Sequence, residues 1–152
     1  MITHFFEDFK TGDAYDFAIP AMSKPEIMAF AATWDPQPIH VDEEIAEKFQ
    51  GGIIASGYHT LLVALRPMLA TVMAKSANIG GPGMEHIRWL YPVRPGERLQ
   101  TKVTVANTHA SRSKPDRGLV SFDVETVNEA GIKVMTLQFA AMIHRREPAA
   151  PA

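Results

Sequence analysis

A chain of 152 residues, 46% of them hydrophobic and 21% charged, is one domain's worth of globular sequence rather than two. The absence of cysteine excludes a disulfide framework, a thiolate nucleophile and thiolate metal ligands, and it agrees with a reducing compartment. A net charge of −2 argues against electrostatic binding of nucleic acid, and no stretch approaches the roughly 18–20 apolar residues of a membrane span, so neither partner is expected.

The N-terminus, Met1 to Asp8, lacks a basic segment followed by a long apolar run, so no signal peptide is visible and a cytoplasmic location is expected. Gly12-Asp13 marks a turn. Tyr15, Phe17 and Ile19 then alternate with Asp16 and Ala18, which is the period of a strand. Ser23, Pro25 and Glu26 predict a helix start with a capping box, and Ile27, Phe30 and Ala31 follow at helical spacing. That helix should stop near Trp34, because Pro36 and Pro38 disfavour its continuation.

Asp42 to Phe49 predicts a short helix, acidic at its start and ended by Gly51-Gly52. From Gly57 to about Lys75, Leu61, Leu62, Leu65, Met68, Leu69, Val72 and Met73 recur at helical spacing with mostly small or apolar residues between them, which predicts a buried helix. Pro67 is expected to kink or split it. Asn78 to Gly83 is expected to be a flexible loop. Four strands are predicted next, over Met84–Tyr91, Arg98–Ala106, Gly118–Asn128 and Ile132–His144, with a polar hairpin loop over Thr108–Arg117. Residues 147–152 read as a frayed Pro/Ala-rich tail, which leaves 1–146 as a single domain. Helices followed by consecutive hairpins predict an α+β domain, an antiparallel β-sheet wrapped around a long central helix.

Two segments carry chemistry. Asp35-Pro36-Gln37-Pro38-Ile39-His40 places a carboxylate and an imidazole on a proline-stiffened corner, and this pair is suited to moving protons near neutral pH. An Asp before a Pro is also an ordinary turn starter. Ala55-Ser56-Gly57-Tyr58-His59-Thr60 precedes the long helix, where free N–H groups can hold a developing oxyanion. There Ser56 serves equally well as a plain helix cap. The six histidines show no metal-ligand spacing, so no metal site is expected. Arg88, Arg94, Arg112, Lys114 and Arg117 are candidates for phosphate contacts or simply solvated charge, and Trp34 and Trp89 read as core or subunit-contact aromatics.

The order Phe30 to Asp42, then Ile54 to Thr60, then Gly83 to Glu97 resembles the MaoC-like dehydratase family, the hydratase 2 branch of hot-dog-fold proteins. The likeness covers Asp8 to about Ala141. It implies the hot-dog fold and reversible addition of water to a trans-2-enoyl thioester, the activity of an (R)-specific enoyl-CoA hydratase. It assigns acid–base catalysis to Asp35 and His40 and the oxyanion contact to the Gly57 N–H; Ser56, Tyr58, His59 and Gln37 are further candidates for contact with the substrate. It implies no cofactor beyond the acyl-CoA or acyl-carrier-protein thioester itself, and a homodimer or higher homo-oligomer. The family usually has Asn where this chain has Gln37, often His-Gly where it has Ser56-Gly57, and a small polar residue early in the helix for which Ser56, His59 or Thr60 substitutes. A hot-dog acyl-CoA thioesterase and a non-catalytic acyl-thioester binding protein are the alternative functions.

Overall fold

The computed structural model describes residues 1–147. The sequence-predicted tail, 147–152, therefore lies outside the described residues except for Glu147. After a 3-10 turn at Phe6–Asp8 come β1 (Ala14–Ile19), α1 (Lys24–Trp34), α2 (Pro38–Val41), α3 (Glu43–Gln50) and α4 (Gly57–Thr71). A second 3-10 turn, Met73–Lys75, leads into β2 (Asn78–Trp89), β3 (Leu99–Ala110), β4 (Arg117–Asn128) and β5 (Lys133–His144).

The five strands form one antiparallel sheet in the order β1-β3-β4-β5-β2. Its inner face follows from the period of two. Along β3, Leu99, Thr101, Val103 and Val105 are buried, and opposite the last three Thr126, Val124 and Phe122 of β4 and Met135, Leu137 and Phe139 of β5 are buried too. Val105 faces Phe122, which faces Phe139 in turn, and the two phenyl rings stack at 4.7 Å. The Thr101 and Thr126 hydroxyls, both fully buried, satisfy each other at 2.9 Å. Helix α4 lies on this face against β1 and β3 through Ala64, Leu65 and Met68. This is the α+β arrangement expected from the sequence. Among the described residues no helix is long and apolar enough to cross a membrane.

Four expectations need correction. Residues 78–83 are not a loop but the first half of β2, paired with β5 through register shifts at Asn78/Gly80 and Gly80/Gly83. Gly80 adopts φ 149°, and a Cβ on Gly81 would lie 2.8 Å from the Ala140 carbonyl oxygen. Glycine therefore marks bulges and close backbone approach here, and Pro82 is tolerated because the strand is an edge. β3 extends through Thr108 to Ala110, so the hairpin loop is shorter than expected. Pro67 does not split α4, which continues to Thr71, where the Thr71 hydroxyl donates to the Pro67 carbonyl. A proline removes one donor, and the buried Leu65 and Met68 hold the helix on the sheet regardless. Finally, α4 is apolar on most sides but not buried as a whole: Leu62 and Leu69 are exposed, as is Trp34 on α1.

Candidate active site

Local folding rules deliver the two polar side chains to one point. The Ser23 hydroxyl accepts from the Glu26 N–H while the Glu26 carboxylate accepts from the Ser23 N–H, which fixes where α1 begins. Its end is set by Pro36 and Pro38, and Asp35 becomes the closing residue, its N–H donating to the Ala31 carbonyl at 2.8 Å. Pro38 then starts α2, a single turn that carries His40. That turn was not expected from the sequence, which shows only a proline-rich corner.

Asp35 and His40 are both buried, and the Asp35 Oδ2 and His40 Nε2 atoms lie 3.4 Å apart. His40 Nδ1 is 2.8 Å from the Ile54 carbonyl oxygen. A carbonyl only accepts, so Nδ1 carries the hydrogen and the neutral ring presents its Nε2 lone pair to the carboxylate. Two acceptors that face each other need a shared donor: a proton on Nε2, or a water that donates to both.

The carboxylate is held from two further sides. The Ser56 hydroxyl donates to Oδ2 at 2.6 Å and the Gln37 amide donates to Oδ1 at 2.7 Å. The Ser56 hydrogen bond is the largest influence on Asp35, with Gln37 and His40 acting in the same direction; together they outweigh desolvation and hold the carboxyl below its ordinary range. Asp35 is thus ionised at neutral pH. Ser56 is fully buried and also caps α4, its Oγ accepting from the Tyr58 N–H at 3.3 Å. One side chain thus caps α4 and hydrogen-bonds Asp35.

Gly57 opens α4 against the same space, and no acceptor is placed for its N–H among the described residues. Its carbonyl accepts from the Trp89 indole N–H at 2.8 Å, and a Cβ at this position would lie 2.5 Å from the Trp89 ring. Only glycine permits this packing.

These groups border a cleft of about 460 Å³. Asp35, Gln37, His40, Gly57 and Tyr58 line it, whereas Ser56 supports it from behind. His59 does not line it. Its ring stacks on Phe30 of α1 with centroids 4.3 Å apart, and its Nδ1 is buried without a partner. Burial pulls His59 below its ordinary pKa against the opposing influence of Glu26. A wall the sequence did not suggest comes from Trp89, Leu90, Tyr91 and Pro92, and a floor from Ile54, Ala55, Thr60 and Val93. The aromatic run directly after a strand was the available signal for the wall. None of the five candidate phosphate-binding cations lines the cleft. Arg94 donates to the Gln50 carbonyl at its rim, Arg88 to the Ile87 carbonyl, and Arg117 pairs with Asp116.

Comparison with known proteins extends this picture. The MaoC-like domain family matches residues 8–128. An uncharacterised protein of Bacillus subtilis is 32% identical over 91% of this chain and 98% of its own length. An (R)-specific enoyl-CoA hydratase of Rhodospirillum rubrum is 26% identical over 96% of each chain. Among solved structures, a MaoC-like dehydratase from Rhodospirillum rubrum superposes with a TM-score of 0.85 at 37% identity, covering 95% of this chain and 99% of that one. A Mycobacterium tuberculosis protein described as a double hot-dog fold superposes at 0.78 with 18% identity over 97% of this chain and 46% of its own, a likeness of fold alone.

Proposed function

The chain belongs to the MaoC-like family, hot-dog in fold, and from that premise we propose that it is a hydro-lyase that adds water reversibly to a trans-2-enoyl thioester. The observation that carries this reading is the buried Asp35–His40 pair, with Nδ1 of His40 already committed to Ile54 and Nε2 left free toward the carboxylate. A water held by Asp35 and His40 has its oxygen aimed outward into the cleft. His40 takes one proton from it as the oxygen bonds to C3 of the substrate. Electrons shift from the double bond to the thioester oxygen, where the Gly57 N–H holds the enolate-like charge, an effect worth roughly 2.7–4 kcal/mol per donor in comparable sites. The proton on Nε2 is then delivered to C2, the enolate collapses, and both groups return to their starting state. Asp35 stabilises the transient imidazolium and orients the water. This chemistry calls on nothing beyond the thioester and water.

Hydration of crotonyl-CoA, followed by loss of enoyl absorbance, tests the reading. Wild type should turn over and Asp35→Asn should lose about 10²–10⁴-fold in kcat. Full activity in Asp35→Asn would overturn the assignment. Release of free thiol from saturated acyl-CoA would instead mark a thioesterase, and tight acyl-CoA binding without turnover a binding protein. β2 is an edge strand exposed nearly throughout, and Ile79, Met84 and Trp89 lie open along it. Such an edge invites pairing, and we assign it to a second copy of the chain. Light scattering that gave a monomer mass at micromolar concentration would refute that assignment.

A further inference from the structure

The cleft has a direction. Tyr58, Leu90, Tyr91 and Trp89 at its mouth are all about half exposed, whereas Asp35, His40 and Val93 at its base are buried. Thr60 sits with the latter group, 3% exposed. Its hydroxyl is the unusual feature. Thr33 and Thr71 return their hydroxyls to the carbonyl four residues earlier in the helix. Thr60 does not; the Ser56 carbonyl takes only the Thr60 N–H, and no partner is placed for the hydroxyl among the described residues. Water in the cleft can reach this hydroxyl in the free protein, and a ligand that displaces that water without replacing its hydrogen bond leaves the hydroxyl unpaired at a cost.

The position of Thr60 says which part of a ligand it meets. Gly57 and Thr60 are three residues apart and share one face of α4. Thr60 lies about 4.5 Å further along the helix axis, the reach of the first few carbons of an acyl chain whose thioester oxygen is held at Gly57. Beyond it the way is shut, because Ala64 and Leu65, one turn on, are sealed in the core. None of the Leu and Met stripe from Leu61 to Met73 lines the cleft, so the acyl tunnel that such a stripe suggests does not open from here. The charge at the base is that of Asp35, and neither Lys nor Arg is among the lining residues described.

We propose that Thr60 is the acyl-specificity residue of this cleft, and that it selects a short enoyl group ending in an uncharged oxygen function, a hydroxyl or a carbonyl. The inference rests on the enoyl-thioester reading above. A plain aliphatic end leaves the hydroxyl unpartnered, and a carboxylate end meets the Asp35 charge with no cation to offset it. A site that hydrogen-bonds a polar substrate group discriminates against analogues lacking it, because its own buried group is then left unpaired.

The test compares three four-carbon enoyl-CoAs: crotonyl-CoA, its terminally hydroxylated analogue, and the analogue ending in a carboxylate. Each is assayed with wild type, Thr60→Val and Thr60→Ser. Wild type should favour the hydroxylated substrate in kcat/KM. Thr60→Val should lower that value about 10- to 100-fold while crotonyl-CoA keeps or gains rate, and Thr60→Ser should restore the preference. Thr60→Val should melt no lower than wild type, since its hydroxyl has no protein partner to lose. Equal losses on all three substrates would make Thr60 a general part of the machinery and overturn the proposal, as would an unchanged preference or a Thr60-dependent preference for the carboxylate. In each of those cases hydration itself persists and the enoyl-thioester reading stands. Failure of wild type on every enoyl-CoA removes that reading and this inference with it.

Discussion

His40 and His59 flank the start of α4, and both are withdrawn from solvent, yet the structure equips them differently. His40 has one ring nitrogen fixed by the Ile54 carbonyl and the other turned to a carboxylate across 3.4 Å. His59 lies flat on Phe30 with Nδ1 sealed and unpartnered. Burial alone therefore does not make a base. A catalytic imidazole needs a donor locked in place, a lone pair free, and a charge nearby to stabilise the proton it takes. His40 has all three, whereas His59 has an aromatic neighbour and the more distant Glu26.

The sharpest way to break this contrast is to exchange both rings. His40→Ala should cost about 10²–10⁴-fold in kcat for hydration, while His59→Phe, which keeps a ring on Phe30, should change kcat less than about threefold. Comparable losses in the two variants would mean that His59 has a role the cleft geometry does not reveal.

A smaller effect is expected at Ser56, which serves the His40 side of the comparison through Asp35. In Ser56→Ala the carboxylate loses the hydrogen bond that does most to lower its pKa. The acidic limb of the rate profile should therefore move to higher pH. Stability should fall as well, by about 1.5–3 kcal/mol at pH 7 for a buried bond to a charged group. The sign follows from linkage: a carboxyl with a depressed folded-state pKa contributes stability that is complete above its unfolded value, near 3.9, and is lost as pH falls through the folded value. The variant should show a shallower loss in acid, measurable by denaturant titration between pH 3 and 7. An unmoved acidic limb would show that Asp35 does not need its Ser56 bond to stay ionised.

The polar residues that meet in the cleft were easier to pick out in the sequence than its walls. Asp35 and His40 were legible because Pro36 and Pro38 leave the backbone few options, and Gly57 was legible as a helix start with room for a ligand. The α1 boundaries followed from Ser23, Glu26 and the prolines. His59 was grouped with the substrate contacts as one of the polar residues early in the helix. At about 100° per residue, however, His59 lies roughly 200° round α4 from Gly57, while Thr60 returns to within about 60°. Helical phase alone separates them. Trp89 was not legible as a cleft wall, because its place against Gly57 depends on where β2 ends and hence on pairing between residues far apart in the chain. The same dependence hid the first half of β2: glycines that read as a loop in isolation are bulges once β5 supplies the ladder.

The smallest predicted effect lies with His59, and it concerns stability rather than rate. Burial lowers its folded-state pKa below the unfolded value near 6.5. Between those two values the unfolded chain binds a proton that the folded chain refuses, so stability falls as pH drops below about 6.5 and levels off once the folded form also titrates. His59→Phe removes both the unpartnered Nδ1 and this linkage. It should gain about 1 kcal/mol at pH 7, and its advantage over wild type should widen between pH 7 and 5.5. Guanidinium titrations at the two pH values measure this directly. A gap that stays constant would mean that the His59 ring is protonated as readily in the folded protein as in the unfolded chain.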